Sequence, residues 1–227
     1  MSTDTIVIAI DTAAVNTAAV AVRKSTGTVV SQLAYTSPLG SKGGILAAAQ
    51  MVKAMYGFVL DVYTMHSQDR LVVAMEDVRF GRASFANSGE FRGGLLIPLI
   101  QEHSVADAVV LVSPSRWQPF HGVAAVQGSK RTPAQKVKQY AECAAGLGYV
   151  APEGSTARHK VDLTAAYLIG YYTCAALSVD YASPGDVALY RLNDVANPAA
   201  KAPVTRAQAA SRLATADNVW VKGGPHA

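Results

Sequence analysis

Two hydrophobic periods alternate along the chain. Residues 5–10, 18–23 and 28–35 are short runs rich in Val, Ile and Ala, separated by Asn16-Thr17 and by Ser25-Thr26-Gly27. Branched apolar side chains bounded by turn formers predict three successive antiparallel strands. After Ser41-Lys42-Gly43-Gly44 the spacing changes. Leu46, Met51, Val52, Met55, Phe58, Val59 and Val62 recur at helical intervals and predict an amphipathic helix over 45–66. Residues 70–76, RLVVAME, are apolar on both faces, as a central strand covered on both sides would be. Residues 108–112 predict a fifth strand, closed by Ser113-Pro114. Further helices are predicted over 89–103, from Thr132-Pro133 to about residue 145, and over 161–177; at the second, Thr is the cap and Pro takes the first helical position.

The order β-β-β-α-β-α-β-α-α predicts an α/β layer architecture: a mixed five-stranded sheet, with a three-strand antiparallel meander plus parallel strands, flanked by helices. Beyond Asp180 the composition shifts to Ala, Pro, Asn and Ser. The expected division is a domain over 1–180 and a loosely ordered Ala/Pro-rich extension over 181–227, in which Val219-Trp220-Val221 is an apolar knot.

Composition narrows the class. The chain has 227 residues, 50% hydrophobic and 16% charged, enough to bury a sizeable core and too apolar for disorder. The start, MSTDT, lacks a basic leader, and the long helix is interrupted by Gln50, Lys53 and Asp61, so no membrane span is expected and the cytoplasm is the expected location. Cys143 and Cys174 lack metal-ligand spacing and read as free thiols. A formal charge of +4 permits a polyanionic partner without establishing one.

The chemistry lies in acids placed at the ends of elements. Asp11 ends the first strand, Glu76 ends the fourth, and Arg158-His159-Lys160-Val161-Asp162 opens the last helix. If the two strands lie side by side and parallel, both carboxylates project from one edge, and a helix packed beside it presents Asp162 to them. His159, three residues earlier, shares that helical face. Clustered carboxylates repel in a low dielectric unless a cation lies between them, and hard oxygen donors suit Mg²⁺ or Mn²⁺. Each acid also has a plainer reading: a turn residue for Asp11, a helix N-terminal charge for Asp162.

These residues resemble the RuvC family of Holliday junction resolvases, whose fold is that of ribonuclease H. The likeness rests on IAIDTAAVNTAAVAV, VVAMEDVRFGRASFANSGEFRGGLLIPL, VLVSPSRWQPFHG with the Thr132-Pro133-Ala134-Gln135-Lys136 helix start, and HKVDLTAAYLI, spanning roughly residues 5–178. The resemblance implies a ribonuclease H-like α/β fold and a metal-dependent endodeoxyribonuclease cutting four-way or other branched DNA. It implies catalytic, metal-holding roles for Asp11, Glu76, Asp162 and His159, two Mg²⁺ or Mn²⁺ ions per site, and a homodimer. Ser88 and Arg92-Gly93 match the family's pattern downstream of the Glu. Arg79, Arg82, Arg92, Lys136, Arg158 and Lys160 are then candidates for DNA phosphates, and Phe80 for stacking on an opened base. The chain departs from the family at Thr12-Ala13, where a Pro-Gly or similar pair is usual, and at Arg79, where the family has an aromatic. Residues 91–100 and 45–66 are candidate dimer contacts.

Two other classes compete. AIDTAAVNTAAVAV also resembles the opening of actin-like ATPases and of tRNA-threonylcarbamoylation scaffold proteins, which lack a Glu closing the fourth strand and a His-x-x-Asp on the final helix. A protein that binds junctions without cutting them is the third reading; the complete acid set argues against it.

Overall fold

The computed structural model describes residues 4–12, 16–76, 94–95, 98–99, 105–123, 133–177 and 188–192. Strands β1 (Thr5–Thr12), β2 (Asn16–Arg23) and β3 (Val29–Thr36) form the antiparallel meander. Helix α1 (Gly44–Met65) leads into β4 (Arg70–Glu76), which pairs parallel to β1. Strand β5 (Ala108–Val112) is parallel to β4 and is followed by three helices, α2 (Pro114–Phe120), α3 (Pro133–Gly146) and α4 (Ala157–Ala176). The sheet order is β3-β2-β1-β4-β5-β6, where β6 (Ala188–Leu192) pairs parallel to β5.

The first five strands and their directions are those of the ribonuclease H-like mixed sheet expected from the sequence. Three local features go beyond that expectation. Strand β6 lies in the stretch read as a loose extension, so part of that stretch joins the sheet. Ser113-Pro114, read as a strand terminator, also opens a helix: Ser113 is extended and Pro114 takes the first position of α2. The last helix starts four residues earlier than the apolar pattern indicates, because Thr156 caps it with a side chain that accepts from the His159 backbone N–H. Of the predicted helix over 89–103, residues 94–95 and 98–99 are described and helical; the rest lies outside the described residues.

Alternation sorts the strand side chains into two cores, one on each face of the sheet. Ile6, Ile8 and Ile10 of β1 pack with Val73 and Met75 of β4 beneath α1, together with Leu95 and Leu99. Val7, Ala9, Val72, Ala74 and Val110 face the other way, under α4, with Trp117, Phe120 and Tyr140 closing that layer. Each fully buried Ile or Val contributes roughly 1.5–3 kcal/mol of transfer free energy. Strand β1, buried throughout its first six residues, is therefore the structural centre.

Helix α4 comes close to the sheet. A Cβ placed on Gly170 would lie 3.1 Å from both Ala9 Cβ and Val22 Cγ2. Helix α1 is long and apolar enough, by length and composition alone, to cross a membrane; seven of its residues instead pack on the sheet. Cys143 and Cys174 are not joined in a disulfide.

Candidate active site at the carboxyl edge of the central strands

The register of β1 and β4 places two acids side by side. Ile10 pairs with Met75, so Asp11 and Glu76 are the next neighbours along, about 5 Å apart at the backbone by the usual strand spacing. Both have the parity of Val7, Ala9, Val72 and Ala74, which puts them on the face covered by α4.

The first turn of α4 is anchored at that same edge. His159 Nε2 lies 2.8 Å from Thr36 Oγ1, at the end of β3, and Thr36 in turn donates to Asn16 Oδ1 at 2.6 Å. Because the Thr36 hydroxyl proton goes to Asn16, its lone pairs accept from His159, which fixes the imidazole proton on Nε2. Thr17, beside Asn16, donates to the Asp11 carbonyl at 3.0 Å. Helix α4 thus runs back over the sheet from the edge where β1 and β4 end, and carries Asp162 there.

Each acid has its own setting. Glu76 Oε1 accepts from the indole N–H of Trp117 at 3.1 Å. Trp117 is 1% exposed and packs against Tyr140, so this donor is held firmly. Asp162 is buried, 3% exposed, and its Oδ2 accepts from Arg158 Nε at 3.2 Å. Burial pushes the Asp162 carboxyl above the usual carboxylate range, against the pull of the Arg158 charge and its hydrogen bond.

The four predicted metal-site residues therefore share one edge and one face of the sheet, but their side chains do not form a closed ligand set. Among the described residues no three His, Cys, Asp or Glu side chains are grouped so as to hold a metal ion. The donor chemistry, carboxylate oxygens on adjacent strands, suits a hard divalent cation between Asp11 and Glu76. Asp162 is turned to Arg158 and His159 to Thr36.

The predicted DNA contacts divide by location. Arg158 and Lys160 are exposed on the first turn of α4. Lys136 lies in the first turn of α3. Arg79, Phe80, Arg82 and Arg92, with Ser88, lie outside the described residues. Sequence reasoning missed two partners: Trp117, which orients Glu76, and Thr36, which holds His159. The Trp117 signal was the Ser113-Pro114 helix start, which aims the next turn back at the end of β4.

No protein-family profile matches the sequence, and no curated protein matches it. Among solved structures, the chain is similar to Thermus thermophilus RuvC, with 18% identity, a TM-score of 0.49, and coverage of 75% of this chain and 95% of that one. It is likewise similar to T. thermophilus RuvC in complex with Holliday junction substrate, at 17% identity and a TM-score of 0.49, covering 76% of this chain and 94% of that one.

Proposed function

We propose that the chain is a metal-dependent endonuclease that cuts branched DNA, four-way junctions foremost, as a homodimer. One observation carries the reading: Asp11 and Glu76 are adjacent across parallel strands, on the face beneath the helix that brings Asp162 to the same edge. Two carboxylates so placed would repel unless a cation joined them.

Asp11, Glu76 and Asp162 would hold Mg²⁺ or Mn²⁺, two ions in the full site, and the ions when bound supply Lewis acidity at the attacked phosphodiester. The protein's own groups do the rest. Trp117 fixes one oxygen of Glu76. Arg158 neutralises Asp162 and, with Lys160, offers positive charge to a DNA backbone at the head of α4. His159, with its proton on Nε2 and that nitrogen held by Thr36, is left with Nδ1 as its proton acceptor.

The test is incubation of the protein with labelled four-way junction, linear duplex and RNA–DNA hybrid, each with Mg²⁺, Mn²⁺ or EDTA. Junction cleavage with either metal and none in EDTA is expected. Glu76→Gln should abolish cutting and leave junction binding intact or tighter; normal cutting by this variant would refute the assignment. Cleavage of the hybrid alone would reassign the activity to a ribonuclease H type. ATP binding without cleavage would favour the scaffold class.

A further inference from the structure

The pair Asn16-Thr17, which the chain pattern marks as a break between strands, begins β2 and reaches both ways along the candidate edge. Asn16 pairs with Thr36 across β2 and β3, and Asp11 pairs with Ala18 across β1 and β2. Ala18 and Ala34 face the layer under α4, so Asn16 and Thr36, each two positions away along its strand, face it too, as Asp11 does. From there the Asn16 side chain reaches His159 through Thr36, and the Thr17 hydroxyl reaches the Asp11 carbonyl.

The distances set the direction of this link. Thr36 Oγ1 and Asn16 Oδ1 are 2.6 Å apart, inside the range of an O–H···O bond and short of that for N–H···O. The amide therefore presents its oxygen, and the hydroxyl gives its proton to it. Thr36 is left with lone pairs for His159 Nε2 at 2.8 Å, which must then carry the ring proton. Turning the amide over would reverse both bonds: its NH₂ group would donate to Thr36, the hydroxyl would donate to Nε2, and the ring proton would move to Nδ1. Asn16 thus chooses the tautomer through an intervening hydroxyl. His159 is fixed at its other end as well, because its backbone N–H is held by the Thr156 cap. Stability gives little reason for the arrangement. Thr36 is exposed and Asn16 and His159 are half-buried, where hydrogen bonds exchange with water at small net gain, and Asn is a poor strand residue.

We propose that Asn16 and Thr36 are positioning residues for His159, keeping its proton on Nε2 and leaving Nδ1 as its one proton acceptor. Both act through the imidazole. The inference rests on the proposed nuclease function and deepens it, by naming what sets the state of one residue at that edge. A ring whose proton sits on the wrong nitrogen cannot take up another in the required place, so a mixed population of tautomers lowers the rate of the chemical step and leaves binding alone.

Two measurements on the full chain test it: ¹⁵N spectra of the imidazoles in metal-free protein at mildly alkaline pH, and four-way junction cleavage at saturating Mn²⁺. The proteins are wild type, Thr36→Val, Thr36→Ser and Asn16→Leu, with His159→Gln to assign the His159 signals. In wild type His159 should show the Nε2–H form alone. Thr36→Val and Asn16→Leu keep the shape of the side chain and remove the hydroxyl or the amide; both ring forms should then appear. In these two variants kcat should fall about tenfold, while KM and the Mn²⁺ concentration for half-maximal cleavage stay within about twofold. Thr36→Ser, which restores the hydroxyl, should recover the wild-type spectrum and a rate within about threefold of wild type. All three should melt within about 2 °C of wild type. A wild type with the proton on Nδ1, or with both forms, would overturn the inference, as would unchanged spectra or an unchanged rate in Thr36→Val and Asn16→Leu. A loss of rate that Thr36→Ser does not recover, or that accompanies a lower melting temperature, would also overturn it, in favour of a structural role. A wild type that cuts no junction would overturn the nuclease reading, while the spectra would still decide whether Asn16 and Thr36 set the tautomer.

Discussion

Glu76 shows how a single side chain is made useful by its neighbour. Its Oε1 is held by the buried Trp117 indole, so the carboxylate is fixed before any ligand arrives. Trp117→Phe keeps an aromatic ring and removes the donor. The Mn²⁺ concentration for half-maximal cleavage should then rise several-fold, with a stability loss of no more than about 2 kcal/mol. Half-saturation unchanged from wild type would show that the bond does not position Glu76. His121 is a second residue with a legible consequence. It is fully buried, Nε2 lies 2.7 Å from the Leu168 carbonyl, and burial pulls its pKa down to about 4 from 6.5. The folded form keeps the ring neutral while the unfolded chain takes up a proton below pH 6.5. Its contribution is therefore complete above pH 6.5 and is lost as pH falls from there toward 4. Cooling of the transition from pH 7 to pH 5 should reach about 4–8 °C, from roughly 2 kcal/mol. In His121→Gln that dependence should flatten, as thermal melts at the two pH values would record. Asp162 has the opposite sign: its carboxyl is raised by burial, so it favours the fold when protonated and costs stability as pH rises through its folded pKa. Asp162→Asn should therefore melt no lower than wild type at pH 7, while losing cleavage.

At the scale of elements, α4 matters most because it joins the core to the site. Its close seat on β1 and β2 depends on Gly170, and its first turn depends on the Thr156 cap and the His159–Thr36 bond. Gly170→Ala would gain about 1 kcal/mol of helix propensity. The added Cβ would press on Ala9 and Val22, which sit in two paired central strands and have little freedom to retreat. Overpacking costs about 1–3 kcal/mol. The net expectation is destabilisation by about 1 kcal/mol in urea melts, and reduced activity, because lifting α4 also lifts Asp162 from the edge. A Gly170→Ala variant more stable than wild type would mean that helix and sheet are less tightly seated than 3.1 Å implies.

For the whole molecule, the unexpected element is β6. It closes the sheet beyond β5, pairing from Ala108–Ala188 to Val112–Leu192. A chain ended at residue 180 would leave β5 as an edge strand, its hydrogen-bonding groups exposed and its side chains all apolar. Compared with a chain ended at residue 192, it should melt lower and associate into large species on size exclusion. Equal behaviour of the two truncations would make β6 dispensable and support residues 1–180 as a self-sufficient domain.

The amino-acid pattern alone determined the first five strands, most of the helices and the candidate acids, because alternation, helical spacing and turn residues act over a few neighbours. Asp11 and Glu76 stood out as acids ending otherwise apolar strands, and that local contrast needs no coordinates. Tertiary structure decided what depends on contacts distant in sequence. It set Asp11 beside Glu76 through the parallel pairing of β1 with β4, turned His159 to Thr36, and brought Trp117 to Glu76 across 41 positions. It also drew Ala188–Leu192 into the sheet, since an edge such as β5 recruits a strand by backbone hydrogen bonds, which any sequence can supply. Local order is written in neighbours, whereas the meeting of remote side chains is fixed only when the sheet closes its register and the helices settle on it.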